Sequence, residues 1–152
     1  MLPDLIEKAT AARDYSVAPY SGFRVGAALE ATPGQIYTGC NIENISYGLT
    51  VCAERVALWK ALSEGARDFR RIAIVTDAST LTPPCGACRQ LLWEYCGDIV
   101  VHLHSTRGLD KEYQLAELFP VPFDNRNLKR NLGSEGKKPE ARSRGSQKGN
   151  RS

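Results

Sequence analysis

Two short cysteine motifs constrain this chain more than any other feature: Cys52-Ala53-Glu54 and, further along, Pro84-Cys85-Gly86-Ala87-Cys88. Each stands at the predicted start of a helix, and Cys85 and Cys88, three apart, share a helix face. A thiol at a helix start meets the positive end of the helix dipole, which lowers its pKa and readies it as a metal ligand. A fold that uses all three thiols must therefore bring two helix starts to one point. Three soft ligands leave one corner of a tetrahedral zinc open to water, whereas a structural zinc normally takes four protein ligands. Glu54, two residues from the first ligand, can reach such a water without ligating the metal. Acidic residues are common in a first helical turn because they complement the dipole. Beside Cys52 and a PCxxC run, Glu54 reads instead as a catalytic acid–base group.

The other candidate ligands read differently. Cys96 falls at the far end of the helix that carries Cys88, too distant to join it. Cys40 sits on a predicted strand with no partner spacing and reads as a small buried hydrophobe. His102 and His104 alternate on one strand face. That spacing is compatible with ligation, but ordinary surface histidines are the commoner case. Three thiolates around Zn²⁺ leave a net charge of about −1, which opposes ionisation of bound water. Arg55, in an otherwise apolar helix, is the natural cation to donate to a cysteine sulfur and offset this charge.

A length of 152 residues suits one domain, and 42% hydrophobic residues suffice for a core. Charge is unevenly spread. Residues 129–152 hold eight Lys/Arg and two Asp/Glu, so that residues 1–128 carry a net −3 within a whole-chain net of +3. With Leu132 as its one large apolar residue, the 129–152 segment is expected to be a disordered basic tail behind a domain of residues 1–128. It lacks interleaved aromatics for base stacking, which argues against a nucleic-acid partner. No apolar run approaches the roughly 18 residues that span a bilayer. The first residues show no basic-then-apolar leader pattern. Five cysteines, two of them in CxxC form, suit a metal in a reducing compartment better than a disulfide framework, so a cytoplasmic location is expected.

Periodicity predicts an amphipathic helix from Leu2 to about Tyr15 and a hairpin of strands Phe23–Leu29 and Ile36–Asn41 about Pro33-Gly34. A helix from Cys52 to Glu64 is apolar on nearly every side, so it is expected to be buried in a core or against another subunit. Strand Arg71–Val75, a helix over 85–96 and strand Ile99–Leu103 follow. Tyr113–Phe119 is ambiguous between strand and short helix. The strand–helix alternation predicts parallel neighbours joined by helical crossovers.

Five segments in order resemble the cytidine deaminase family, the small tetrameric kind acting on free nucleosides. They are Pro19-Tyr20-Ser21-Gly22-Phe23-Arg24-Val25-Gly26, Gly39-Cys40-Asn41-Ile42-Glu43-Asn44 with Ser46-Tyr47, Cys52-Ala53-Glu54-Arg55, Pro84 to Gln90, and Leu118-Phe119-Pro120-Val121-Pro122-Phe123. The resemblance covers roughly Leu2 to Asp124. It implies a three-layer α/β/α fold with a mixed, roughly five-stranded sheet, and one zinc per chain on Cys52, Cys85 and Cys88. It also implies hydrolytic deamination of cytidine and deoxycytidine with Glu54 shuttling protons. Asn41 and Glu43 would bind the sugar hydroxyls, and their spacing puts both on one face of a strand. Phe23 would pack on base and sugar, and the Ala53 backbone would hydrogen-bond the pyrimidine edge. Tyr47 and Phe123 would reach a neighbouring subunit's site in a homotetramer. Pro83 departs from the family's small hydroxyl residue, and Phe119 from its leucine. A structural zinc module would leave Glu54 and the sugar-binding pattern without purpose. A polynucleotide editor would need a groove that Tyr47 and Phe123 would cover.

Overall fold

The hairpin about Pro33-Gly34 forms from β1 (Gly26–Ala31) and β2 (Ile36–Cys40), antiparallel from Gly26↔Cys40 to Glu30↔Ile36. In this computed structural model, which describes residues 1–129, β1 begins at Gly26 rather than Phe23. The basic tail expected over 129–152 lies, apart from Lys129, outside the described residues. Every residue of β1 is buried, so the expected in–out alternation is absent. The reason is that helices cover both faces of this strand. Helix α1 (Leu2–Arg13) packs Leu5 and Ala9 on the side of Ala28, and α2 (Ala53–Ser63) packs Ala53, Ala57, Leu58 and Ala61 on the side of Ala27 and Leu29.

Glycine permits both approaches. A Cβ on Gly26 would stand 1.9 Å from the Ala9 carbonyl oxygen, and one on Gly39 would stand 2.4 Å from that of Ala53. The second contact seats the first turn of α2, with Cys52 just before it, against the end of β2.

β3 (Phe69–Thr76) pairs antiparallel with β1, and β4 (Val100–Ser105) pairs parallel with β3. β5 (Leu109–Gln114) closes the sheet antiparallel to β4, giving the order β2-β1-β3-β4-β5. Among the described strands the parallel neighbours number one pair, β3 and β4, joined through α3 (Gly86–Cys96). The expectation of parallel neighbours thus holds for the α3 crossover and not for α2, which leads from edge strand β2 to a strand two places away. The result is a mixed five-stranded sheet in three layers, α1 on one face and α2 and α3 on the other.

The larger core lies on the α2/α3 face, where Leu29, Ile72, Ile74, Val101 and Leu103 meet Leu58 and Leu92. Each such buried side chain stabilises the fold by about 1.5–3 kcal/mol relative to exposure. Glu30, buried on β1, is paired at 2.6 Å with Arg71 directly across on β3, so its charge is not left alone in the interior. The charged run Asp110-Lys111-Glu112 forms β5 although it lacks apolar alternation, because an edge strand with a solvated face does not need one. The ambiguous 113–119 segment splits into the end of β5 and a short helix α4 (Leu115–Leu118), started by a capping box of Gln114 and Glu117. A last helical turn, α5, spans Asn125–Lys129.

Candidate active site

The two cysteine motifs meet where α2 and α3 begin. Cys52 is the N-cap of α2 and Cys85 the N-cap of α3, both in extended backbone, with Cys88 one turn into α3. Their sulfurs lie within 4.8 Å of one another, and Cys52 Sγ and Cys85 Sγ are 3.8 Å apart. That separation is too long for a disulfide. It matches two sulfurs on a tetrahedral zinc, which at bonds of about 2.3 Å stand about 3.8 Å from each other. Among the described residues this cluster offers three ligands.

The electrostatics favour ionisation of Cys52. Hydrogen bonding from Cys88 pulls the Cys52 thiol down to about 5 against the opposing effect of burial, with help from Arg55 and Cys85. The same hydrogen bond, together with burial, pushes the Cys88 thiol up. Arg55 Nη2 donates to Cys52 Sγ at 3.7 Å and to the Thr50 carbonyl at 3.2 Å. The guanidinium also lies 5.9 Å from the Trp59 ring centroid. This is the cation that a three-thiolate centre needs. The other thiols stand apart: burial raises Cys40 and lifts Cys96 to about 12. Cys40 is half-buried rather than buried as expected, because it ends edge strand β2.

Glu54 is 5% exposed, and burial pushes its carboxyl up to about 7 against a hydrogen bond from its own backbone. A carboxyl poised there can both accept and release a proton near neutral pH. It lines a cleft of about 200 Å³ with Phe23, Asn41, Glu43, Cys52, Ala53 and Cys85. The structure thus brings seven of the sequence-derived positions to one cavity. Val25, Thr50, Val51, Thr82 and Pro83 complete its wall. Sequence reasoning assigned these no part in the site, since they are small or apolar residues of strand ends and loops.

Asn41 and Glu43 lie beyond the end of β2 rather than on a strand as expected, flanking Ile42, which bridges both Val17 and Val51, and both line the cleft. Both also hold the loop in front of them. Asn41 Oδ1 accepts from Ser16 Oγ and, at 2.9 Å, from the Val25 N–H, while Nδ2 donates to the Phe23 carbonyl at 2.7 Å. Glu43 accepts from the Tyr20 and Ser21 N–H groups at 2.9 and 3.2 Å and from the Ser21 hydroxyl. These contacts, led by the hydroxyl, lower the Glu43 pKa and keep it a carboxylate.

Tyr47 and Phe123 lie outside this cavity. Tyr47, 75% exposed, lines an adjoining cleft of about 380 Å³ with Tyr20, Ser21, Glu43 and Thr50. Phe123, 61% exposed, is held by its carbonyl, which accepts from Gln90 Nε2 at 2.8 Å. Arg89 binds the Pro84 carbonyl at 2.7 Å and also the Leu118 carbonyl, fastening the Cys85 loop and the closing segment to α3. Their adjacency to Cys88 in sequence is the one signal of this bracing role.

Three thiols with one open corner, beside a buried carboxyl in a cleft, define a hydrolytic zinc enzyme. Comparison with known proteins narrows the class. Residues 2–103 match the family model described as cytidine and deoxycytidylate deaminase zinc-binding region. A cytidine deaminase of Sporosarcina psychrophila is 46% identical over 125 residues, 82% of this chain and 92% of that protein. One from Halalkalibacterium halodurans is 51% identical over 120 residues, 78% of this chain and 91% of its own. The crystal structure of cytidine deaminase from Burkholderia pseudomallei superposes with a TM-score of 0.78 at 44% identity, covering 81% of this chain and 99% of that one. The chain belongs to the cytidine deaminase family.

Proposed function

We propose that this protein hydrolyses the 4-amino group of cytidine and deoxycytidine, giving uridine or deoxyuridine and ammonia. The observation that carries this reading is the buried Glu54 carboxyl beside three converging thiols, on the wall of a cleft that also presents Phe23, Asn41 and Glu43. Cys52, Cys85 and Cys88 would hold one zinc per chain, and that ion supplies Lewis-acid activation of water for attack at C4. Glu54 takes a proton from the attacking water, passes one to ring N3 and later protonates the departing amine. The C4–O bond forms first and makes C4 tetrahedral; the C4–N bond breaks afterwards, as the new C4 hydroxyl gives up its proton, so one water proton ends on N3 and the other on ammonia. Ala53, wholly buried at the start of α2, offers its backbone to the pyrimidine edge, and Phe23 packs on base and sugar. Asn41 has one amide N–H beyond its bond to Phe23, and the Glu43 carboxylate is half-open at the mouth. These two would take the sugar hydroxyls. Loss of the cytidine absorbance with time, against the Glu54→Gln variant as blank, is the direct test; no change above that blank refutes the activity.

The assembly we propose is a homotetramer with shared sites. Its support is the exposure of the large apolar residues Ile45, Tyr47, Leu49, Val121 and Phe123, of which Tyr47 lines the adjoining cleft. Trp59 adds an uncovered apolar side to α2, which within one chain is buried on one face only. Glu54→Gln and Phe123→Ala are each expected to be inactive or strongly impaired alone. Mixed and reassembled, they recover activity, because some sites then combine an intact Glu54 with an intact Phe123 from a neighbour. Verified hybrids without recovery would place Phe123 in its own chain's site.

Residues 1–128 are proposed as the catalytic domain and 129–152 as a basic tail dispensable for chemistry. Removal of residues 131–152 is expected to leave cytidine turnover and melting temperature unchanged. A large loss of either on truncation contradicts that division. No helix among the described residues is long and apolar enough to cross a membrane. The reduced thiols of the zinc centre favour a reducing, cytoplasmic setting.

A further inference from the structure

The chain's two histidines, His102 and His104, stand on one face of β4. Antiparallel β5 sets Glu112 opposite His102 and Asp110 opposite His104, so two imidazoles and two carboxylates form a square across the strand pair. His102 and His104 also pair with Ala73 and Val75 of β3, whose side chains face α1. They therefore lie on the opposite side of the sheet from α2, α3 and the three cysteines. The principal packing of α1 is against β1, β2 and β3, which leaves this square at the sheet's far edge.

The donor atoms converge. His102 Nε2 contacts Asp110 Oδ1, and His104 Nδ1 lies 3.4 Å from that same oxygen. One donor atom from each of the three residues falls within 4.8 Å of the others. Ligands bound at about 2.0–2.2 Å stand roughly 3–3.5 Å apart, so small side-chain adjustments suffice to close this triad on an ion. His102 is only 4% exposed, and its Nδ1 is buried without a hydrogen-bond partner among the described residues. The group that Nδ1 faces is the Glu112 carboxylate, 3.7 Å away. An imidazole that ligates through one nitrogen commonly donates from the other to a carboxylate, which fixes its ring. The half-exposed Asp110 leaves the remaining coordination positions to solvent.

We propose that His102 Nε2, His104 Nδ1 and the Asp110 carboxylate bind a divalent transition cation, oriented by Glu112 and independent of the thiolate zinc. Two nitrogens and an oxygen with no thiolate suit Ni²⁺, Cu²⁺ or Zn²⁺. The bound ion staples the charged edge strand β5 to β4.

The test uses the untagged full-length chain with its tightly held zinc retained. Calorimetric titration with Ni²⁺ is followed by metal analysis of the gel-filtered protein. The expected result is one Ni²⁺ per chain taken up without zinc release, with a rise in melting temperature. His104→Gln and Asp110→Asn, at accessible positions that spare the buried His102, each weaken Ni²⁺ binding at least about tenfold and abolish that rise. Both keep zinc content and deaminase turnover at the parent's level. Lys111→Gln, between the two carboxylates but on the other face of β5, binds Ni²⁺ as the parent does. Absence of Ni²⁺ uptake, uptake matched by zinc loss, or unchanged binding in His104→Gln and Asp110→Asn overturns the site.

Discussion

Replacing Glu54 with glutamine lowers cytidine turnover about 10⁴-fold, while zinc content and melting temperature stay at the parent's values. The amide keeps the volume and the position at the start of α2, where only 5% of the residue is exposed, so neither packing nor the thiolate cluster is disturbed. What it removes is a group able to accept and return protons. Positioned acid–base groups contribute roughly 10²–10⁴-fold, and one that serves water, ring nitrogen and leaving amine in turn belongs at the top of that range. The carboxyl raised to about 7 by burial is suited to both directions of transfer. Rates by absorbance, with zinc measured on the same samples, decide the matter. A variant within tenfold of the parent would remove Glu54 from the chemistry.

Loss of any one thiolate is expected to abolish turnover by releasing the metal. Structural zinc binds peptides with about 10–16 kcal/mol over four ligands, or roughly 3 kcal/mol for each, which is about a hundredfold in affinity. A centre with only three protein ligands has little to spare. Cys85→Ala, at an exposed N-cap, should lose zinc with a modest effect on the apo fold. Cys88→Ala should lose zinc and also lower the apo protein's stability, because Cys88 is completely buried where α3 meets α2. Cys52→Ala removes the thiolate that Arg55 stabilises, and leaves that guanidinium with the Thr50 carbonyl and the Trp59 ring. Metal content after dialysis and calorimetric melting of apo and zinc-loaded forms separate these effects. Zinc retained at one per chain in all three variants would break the ligand assignment.

The cysteine motifs were legible because their chemistry is local. A thiol at a helix start, a second one turn on and an acid two residues from the first carry their meaning in spacing alone. Glycine 39 was quoted only as part of a motif, and its purpose emerges when α2 is seen to rest against it at a distance no Cβ allows. The start of β1 was misplaced because Phe23 and Val25 alternate like strand residues. Their backbone groups are instead taken by the Asn41 side chain, a partner sixteen and eighteen residues away. β5 escaped notice for the opposite reason, since a charged edge strand exists only because β4 offers it a ladder.

By itself, then, the sequence determined the candidate ligands and the candidate proton carrier, the order of elements from α1 to β4 and the family resemblance, all of which depend on residue identity at short range. Tertiary structure alone decided which distant groups share a cavity. It put Thr50, Thr82 and Pro83 on the wall beside Glu54, gave Asn41 and Glu43 a second task in holding the 20–25 loop, and set Tyr47 and Phe123 outside the chain's own cleft. It also brought Asp110 and Glu112 opposite two histidines that spacing left ambiguous. Strand pairing and helix docking fix such neighbours through register and close packing, and neither quantity is written in the spacing of residues along a chain.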